Sequence, residues 1–127
     1  MSAAGFAAVG IGAALGAWLR GVLNLAFNHI VPALPLGTLA ANLVGAYLVG
    51  VAVGVFEQAA GLAPELRLFV ITGFLGGLTT FSTFSAESVS LLQTGRYEWV
   101  LLHIFSHLAG SVLLTVCGLW TVKMFLH

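Results

Sequence analysis

Charge is what this chain has least of. Of 127 residues only 6% are charged, four Lys or Arg against four Asp or Glu, and the formal net charge is zero. Without a basic patch to meet phosphates, nucleic acid is excluded as a partner. Cysteine is nearly absent as well. The single Cys117 excludes an intrachain disulfide or a cysteine-rich metal site and reads as a small buried apolar residue. The apolar runs lack period-two alternation and are too long for strands, which excludes a membrane β-barrel. Met1 to Phe6 carries no Lys or Arg, so it lacks the basic flank of a secretory leader and is read as the start of a first helix.

What fills the chain instead is hydrocarbon. Sixty per cent of the residues are hydrophobic and the mean hydropathy is +1.09, more than a soluble globule of this size can bury. The reading is an all-α integral membrane protein. A bilayer core of roughly 30 Å takes about 20 helical residues, which leaves room for four spans in one domain, residues 1–127. The first runs from Ala3 to Phe27, then a turn region from Asn28 to Pro35 holds Pro32 and Pro35. The second covers Leu36 to Phe56, and the polar cluster Glu57 to Glu65 closes it, with Pro64 and Glu65 suited to a helix start. The third spans Pro64 to Gln93 with an interruption near Gly76 to Thr79. Thr94-Gly95-Arg96 forms a turn, and the fourth span runs from Tyr97 to Phe125.

Small residues recur at four-residue spacing, Gly12 with Gly16, Ala17 with Gly21, Gly37 with Ala41 and Gly45, and Gly50 with Gly54. That spacing lets membrane helices approach closely. The basic residues give no orientation: Arg67 and Lys123 fall on one side, Arg96 and a snorkelling Arg20 on the other. A chain without bias can insert both ways and pair as an antiparallel two-fold dimer, unless the translocation machinery imposes one orientation.

The third span carries the most specific pattern, Gly73-Phe74-Leu75-Gly76-Gly77-Leu78-Thr79-Thr80-Phe81-Ser82-Thr83-Phe84-Ser85. Glycine leaves helical geometry readily, and irregular backbone at membrane depth is tolerated only inside protein or along an aqueous cavity. Phe81, Phe84, Ser85 and Ser88 share one helical face, with Glu87 on a neighbouring stripe. Ring edges are electropositive and hydroxyls donate, so this face suits a small anion. Asn42, in the middle of the second span, either donates to such an anion or ties helices together. In the fourth span His103 and His107 stand at i, i+4. A metal or haem is one reading of that pair; neutral, hydrogen-bonding histidines near the membrane surface are the default.

Together with Gly16-Ala17-Trp18-Leu19-Arg20 and the run from Gly37 to Gly50, the third-span motif resembles the Fluc (CrcB) family of fluoride channels over essentially the whole chain. The resemblance implies an antiparallel, dual-topology homodimer in the plasma (inner) membrane, in contact with lipid, passing cytoplasmic fluoride out passively and performing no catalysis. It implies a structural sodium ion on the two-fold axis, held by backbone carbonyls of Gly76 and Thr79. Phe81 and Phe84 match the pore phenylalanines, and Asn42, Ser82 and Ser85 the polar lining. Ser106 fits the hydroxylic pattern of the fourth span, where His103 and His107 depart from what the family motif leads one to expect. Arg20 falls on the family's first-helix arginine, placed to draw anions into a vestibule or to snorkel. Glu87 beside an anion path either gates, positions a proton, or pairs with a cation. Two rivals are a small proton-coupled multidrug or cation exporter, which relies on a first-helix carboxylate that is missing here, and a structural subunit of a membrane complex, which leaves the Phe and Ser stripe unexplained.

Overall fold

A computed structural model of the chain describes residues 1–126. Among them it is all helix and turn, with four helical spans long and apolar enough to cross a membrane. Helix α1 (Ala3–Phe27) starts on Ser2, whose hydroxyl accepts the Gly5 N–H at 3.0 Å, an ordinary N-cap. Helix α2 (Leu36–Gln58) follows Pro35 and runs two residues beyond the expected end at Phe56. The third span begins as α3 (Pro64–Arg67) with Pro64 in its first turn, continues as a π-helical stretch (Leu68–Leu75) and the single turn α4 (Gly76–Leu78), and resumes as α5 (Phe81–Gln93). Gly95, at φ 73°, turns the chain into α6 (Tyr97–Phe125); this left-handed conformation is one that glycine adopts without strain.

Two tight helix pairs make the bundle. Along α1, Gly12 and Gly16 lie directly against the third span: a Cβ at Gly12 would sit 2.8 Å from the Phe74 nitrogen, and one at Gly16 2.7 Å from that of Leu78. On the other side Gly50 of α2 and Gly118 of α6 meet backbone to backbone, where a Cβ on Gly118 would stand 2.8 Å from the Val51 nitrogen. Gly45 receives the Thr79 side chain, and Ala41 is fully buried. Gly21 departs from the pattern, since nothing lies within 4 Å of its Cβ position. The core between the pairs is small: Ala41, Ala52, Phe56, Leu75 and Leu78. Many large apolar side chains point outward, Leu25 at 82% and Phe125 at 78% exposure among them, as a lipid-facing surface requires.

The interruption of the third span falls at Thr79 and Thr80, not across Gly76 to Leu78, which stay helical. Thr79 turns extended (φ −86°, ψ 154°) and Thr80 follows (φ −148°, ψ 115°). The glycines serve a different purpose, since a Cβ at Gly77 would lie 2.9 Å from the Ala13 Cα. Threonine makes the break because its hydroxyl supplies what the broken ladder loses: Thr80 Oγ1 accepts the Thr83 N–H at 3.2 Å and so caps α5. The π-helical stretch left no mark in the sequence. Leu68 to Leu75 is apolar nearly all round, so a wider turn rotates no polar face out of place.

The glycine contacts give the first prediction. Gly16→Ala is expected to lower stability by about 1–3 kcal/mol through overpacking, while Gly21→Ala stays within about 0.5 kcal/mol of the parent. Thermal unfolding in detergent checks both, and equal effects would contradict the packing described.

Candidate functional site

A membrane helix that stops for two residues strands the backbone groups on either side, and the site is built from what catches them. The Asn42 carboxamide of α2 reaches across to Thr80: its Oδ1 accepts the Thr80 N–H at 2.7 Å and its Nδ2 donates to the Thr80 carbonyl at 3.1 Å. In a continuous helix the Thr80 N–H would go to the Gly76 carbonyl and the Thr83 N–H to that of Thr79. Both donors are engaged elsewhere, the first on Asn42 and the second on Thr80 Oγ1. Gly76 and Thr79 thus lose their helical donors. The Gly77 carbonyl is met by Arg20 of α1, whose Nε donates to it at 3.1 Å. A guanidinium at the last carbonyls of a helix segment is electrostatically favourable, and this contact draws Arg20 inward to the break instead of out to headgroups.

Beside the break lies an open groove of about 420 Å³, bounded by α2, the third span and α6. Asn42, Gly76, Thr79, Thr80, Phe81 and Phe84 line it. The two rings approach at 5.6 Å between centroids, tilted by 54°. Phe81 is 74% exposed on the surface of the single chain, whereas Phe84 is buried. Ser82 and Ser85 are exposed and do not line this groove, and Ser106 turns back to donate to the Leu102 carbonyl of its own helix, a common habit of membrane hydroxyls.

His107 lines the groove, and His103 and Glu87 lie beside it without lining the groove. Thr38 Oγ1 donates to Glu87 Oε2 at 2.7 Å, and Glu87 Oε1 stands 3.5 Å from His103 Nε2. His103 and His107 are buried against Phe84, the first stacked with centroids at 5.2 Å and the second tilted at 4.7 Å. They lie within the bundle, and His107 comes ten residues into α6, about 15 Å along its axis.

Hydrogen bonding settles which ring nitrogens carry protons. The orientation of Asn42 is fixed by Thr80, so its second Nδ2 hydrogen points to His107 Nδ1, 3.0 Å away. His107 Nδ1 is therefore the acceptor, and in the neutral ring the proton is on Nε2. His103 Nε2 faces two acceptors, the Phe84 carbonyl at 3.4 Å and Glu87 Oε1, so that nitrogen carries the hydrogen and Nδ1 keeps its lone pair.

Groove residues that the sequence reading missed are Thr80, His107, Ser111 and Thr115. A signal for three of them was present: His103, His107, Ser111 and Thr115 recur at i+4 through the fourth span and mark one polar stripe. Thr115 hydroxyl also ties α6 to α2, donating to the Ala46 carbonyl at 2.9 Å.

Comparison with known proteins identifies relatives over nearly the whole chain. Residues 7–119 match the family described as CrcB-like protein, Camphor Resistance (CrcB). A protein of Ralstonia pickettii named fluoride-specific ion channel FluC is 63% identical over 125 residues, covering 98% of this chain and 99% of its own length. Proteins of the same name from Cupriavidus necator and Pseudomonas paraeruginosa are 62% and 56% identical over 124 and 119 residues, 98% and 94% of either chain. With a match of this extent, running through the broken third span and the polar stripe of the fourth, the chain belongs to the CrcB family.

Proposed function

We propose that this multi-pass membrane protein is a passive, fluoride-selective channel of the inner membrane that lets cytoplasmic fluoride leave the cell. One observation carries the reading. Asn42, Phe81 and Phe84 fall on a single groove beside a clamped helix break, in a chain 63% identical to a protein named as a fluoride-specific channel. Conduction needs no catalytic residue. Fluoride is small and holds its water strongly, so a narrow path has to replace that water with hydrogen-bond donors and with the positive edges of rings. Several weak contacts, with no single tight one, let the ion leave again. Larger halides are held off by width.

The same reading includes an antiparallel homodimer with one sodium ion on its axis. The exposed ring of Phe81 and the open, exposed surface at Gly76 support a second copy on this face, and the even division of the few basic residues supports its inversion. The residues fit a hard cation: Gly76 and Thr79 each have a carbonyl deprived of its helical donor by Asn42 and by Thr80, and such unwound carbonyls are the ligands sodium takes in membrane proteins. Bound there, the ion would supply fixed positive charge to the freed carbonyls of both copies. Arg20 supports the neighbouring carbonyl of Gly77.

Flux from liposomes tests the function. The purified protein is expected to release fluoride and not chloride when a potassium ionophore balances charge, and Phe81→Ile or Phe84→Ile is expected to lower fluoride release at least about ten-fold with the assembly retained. Equal fluoride and chloride release defeats selectivity, and full flux in both variants removes the rings from the path. The assembly is tested in a Cys117→Ser background, because Cys117 is exposed. An Ala60→Cys label in the loop after α2 is expected to react from both membrane faces, and replacing sodium with a large organic cation to lower the melting temperature. Labelling from one face alone ends dual topology, and an unchanged melting temperature ends the structural sodium.

A further inference from the structure

Among the described residues, three buried side-chain polar atoms have no hydrogen-bond partner: Glu87 Oε1, His103 Nδ1 and His107 Nε2. They belong to side chains that bring one nitrogen or oxygen each within 4.8 Å of one another. His103 and His107 are 0% and 2% exposed, and Glu87 is 16% exposed at its side chain. Orphaned atoms in such a place are costly, and three together call for a common partner.

The hands of the three atoms identify it. His107 Nε2 carries a hydrogen and seeks an acceptor, because Asn42 occupies Nδ1. His103 Nδ1 has a lone pair and seeks a donor, because Nε2–H faces the Phe84 carbonyl and Glu87. Glu87 Oε1 also seeks a donor, its fellow oxygen being served by Thr38. A metal ion needs a lone pair from each side chain, and His107 has none to give while Asn42 holds it. A small anion needs donors only, and here it would meet one donor, one lone pair and a carboxylate. A water molecule accepts one hydrogen and donates two, which complements these three atoms.

We propose that Glu87, His103 and His107 enclose one ordered water molecule, which accepts from His107 Nε2–H and donates to His103 Nδ1 and Glu87 Oε1. This is the usual role of buried water, with about three bonds to atoms otherwise unpaired. It completes a chain from the backbone of Thr80 through Asn42, His107, the water and His103 to Glu87 and Thr38. Apart from the Asn42 hydrogen given back to the Thr80 carbonyl and the Phe84 carbonyl that His103 Nε2–H also faces, the donors along it run toward the carboxylate. His107 and His103 are thereby positioning residues: they fix the hydrogen that keeps Asn42 turned onto the break, and they turn the Glu87 charge away from the groove onto its own donors.

The test uses the full chain with 15N-labelled histidine in lipid nanodiscs, each ring assigned by single substitution. At neutral pH, His103 and His107 are both expected as the Nε2–H tautomer, and His107 Nε2–H is expected to show a cross-peak to a slowly exchanging water. Zinc ion or fluoride at millimolar concentration is expected to leave the His107 Nε2 resonance in place. An Nδ1–H tautomer at His107, a stoichiometric shift with zinc or a saturable shift with fluoride would each overturn the proposal. In liposomes, His107→Leu is expected to lower fluoride flux about ten-fold by orphaning Asn42 and the water. His107→Gln, which carries an acceptor and a donor on one group, is expected to recover most of the flux, and equal loss in both variants overturns the positioning role. The spectroscopic arm involves no transport, so its failure is distinct from a failure of the fluoride reading.

Discussion

The pair of hydrogen bonds between the Asn42 carboxamide and the backbone of Thr80 is the constraint on which the third span depends. At membrane depth an unpaired backbone group costs several kcal/mol, so a helix cannot stop unless something else supplies the missing partners. Asn42 supplies both hands at one residue, the Thr80 hydroxyl caps α5, and Arg20 takes the Gly77 carbonyl. With the break held in this way, Phe81 and Phe84 are set at the start of a new helix, beside the groove, at an angle to their neighbours that a continuous helix would not give.

The glycines let this happen at close range. Gly12, Gly16 and Gly77 bring α1 against the third span, and Gly50 and Gly118 bring α2 against α6. Gly45 of α2 takes in the Thr79 side chain, and this approach lets the short Asn42 side chain span from α2 to the break. Packing is thus the means and polar clamping the result, and the loss of either is felt at the same two residues, Thr79 and Thr80.

Much of this was legible in the residues. Four long apolar runs with few charges fix the spans, and turn signals at Pro35, Pro64 and Gly95 place their ends to within two residues. The interruption was legible in kind and displaced in position, because glycine flexibility pointed to Gly76 while the hydroxyls of Thr79 and Thr80 made the break. Asn42 was open between gluing helices and lining a path; both its hydrogens are engaged in the bundle, and it lines the groove as well. The histidines were legible as hydrogen-bonding groups, but their partners were not: Asn42, Phe84 and Glu87 come from two other helices that no local pattern connects to α6.

The central claim is that Asn42 holds the third span open at Thr80. Amide hydrogen exchange read at single residues tests it most directly, comparing the parent chain with Asn42→Ala in the same lipid nanodisc. The account predicts a protected Thr80 amide in the parent and loss of at least about ten-fold protection at Thr80 in the variant, with the amides of α1 unchanged. Equal protection of Thr80 in both chains would contradict it.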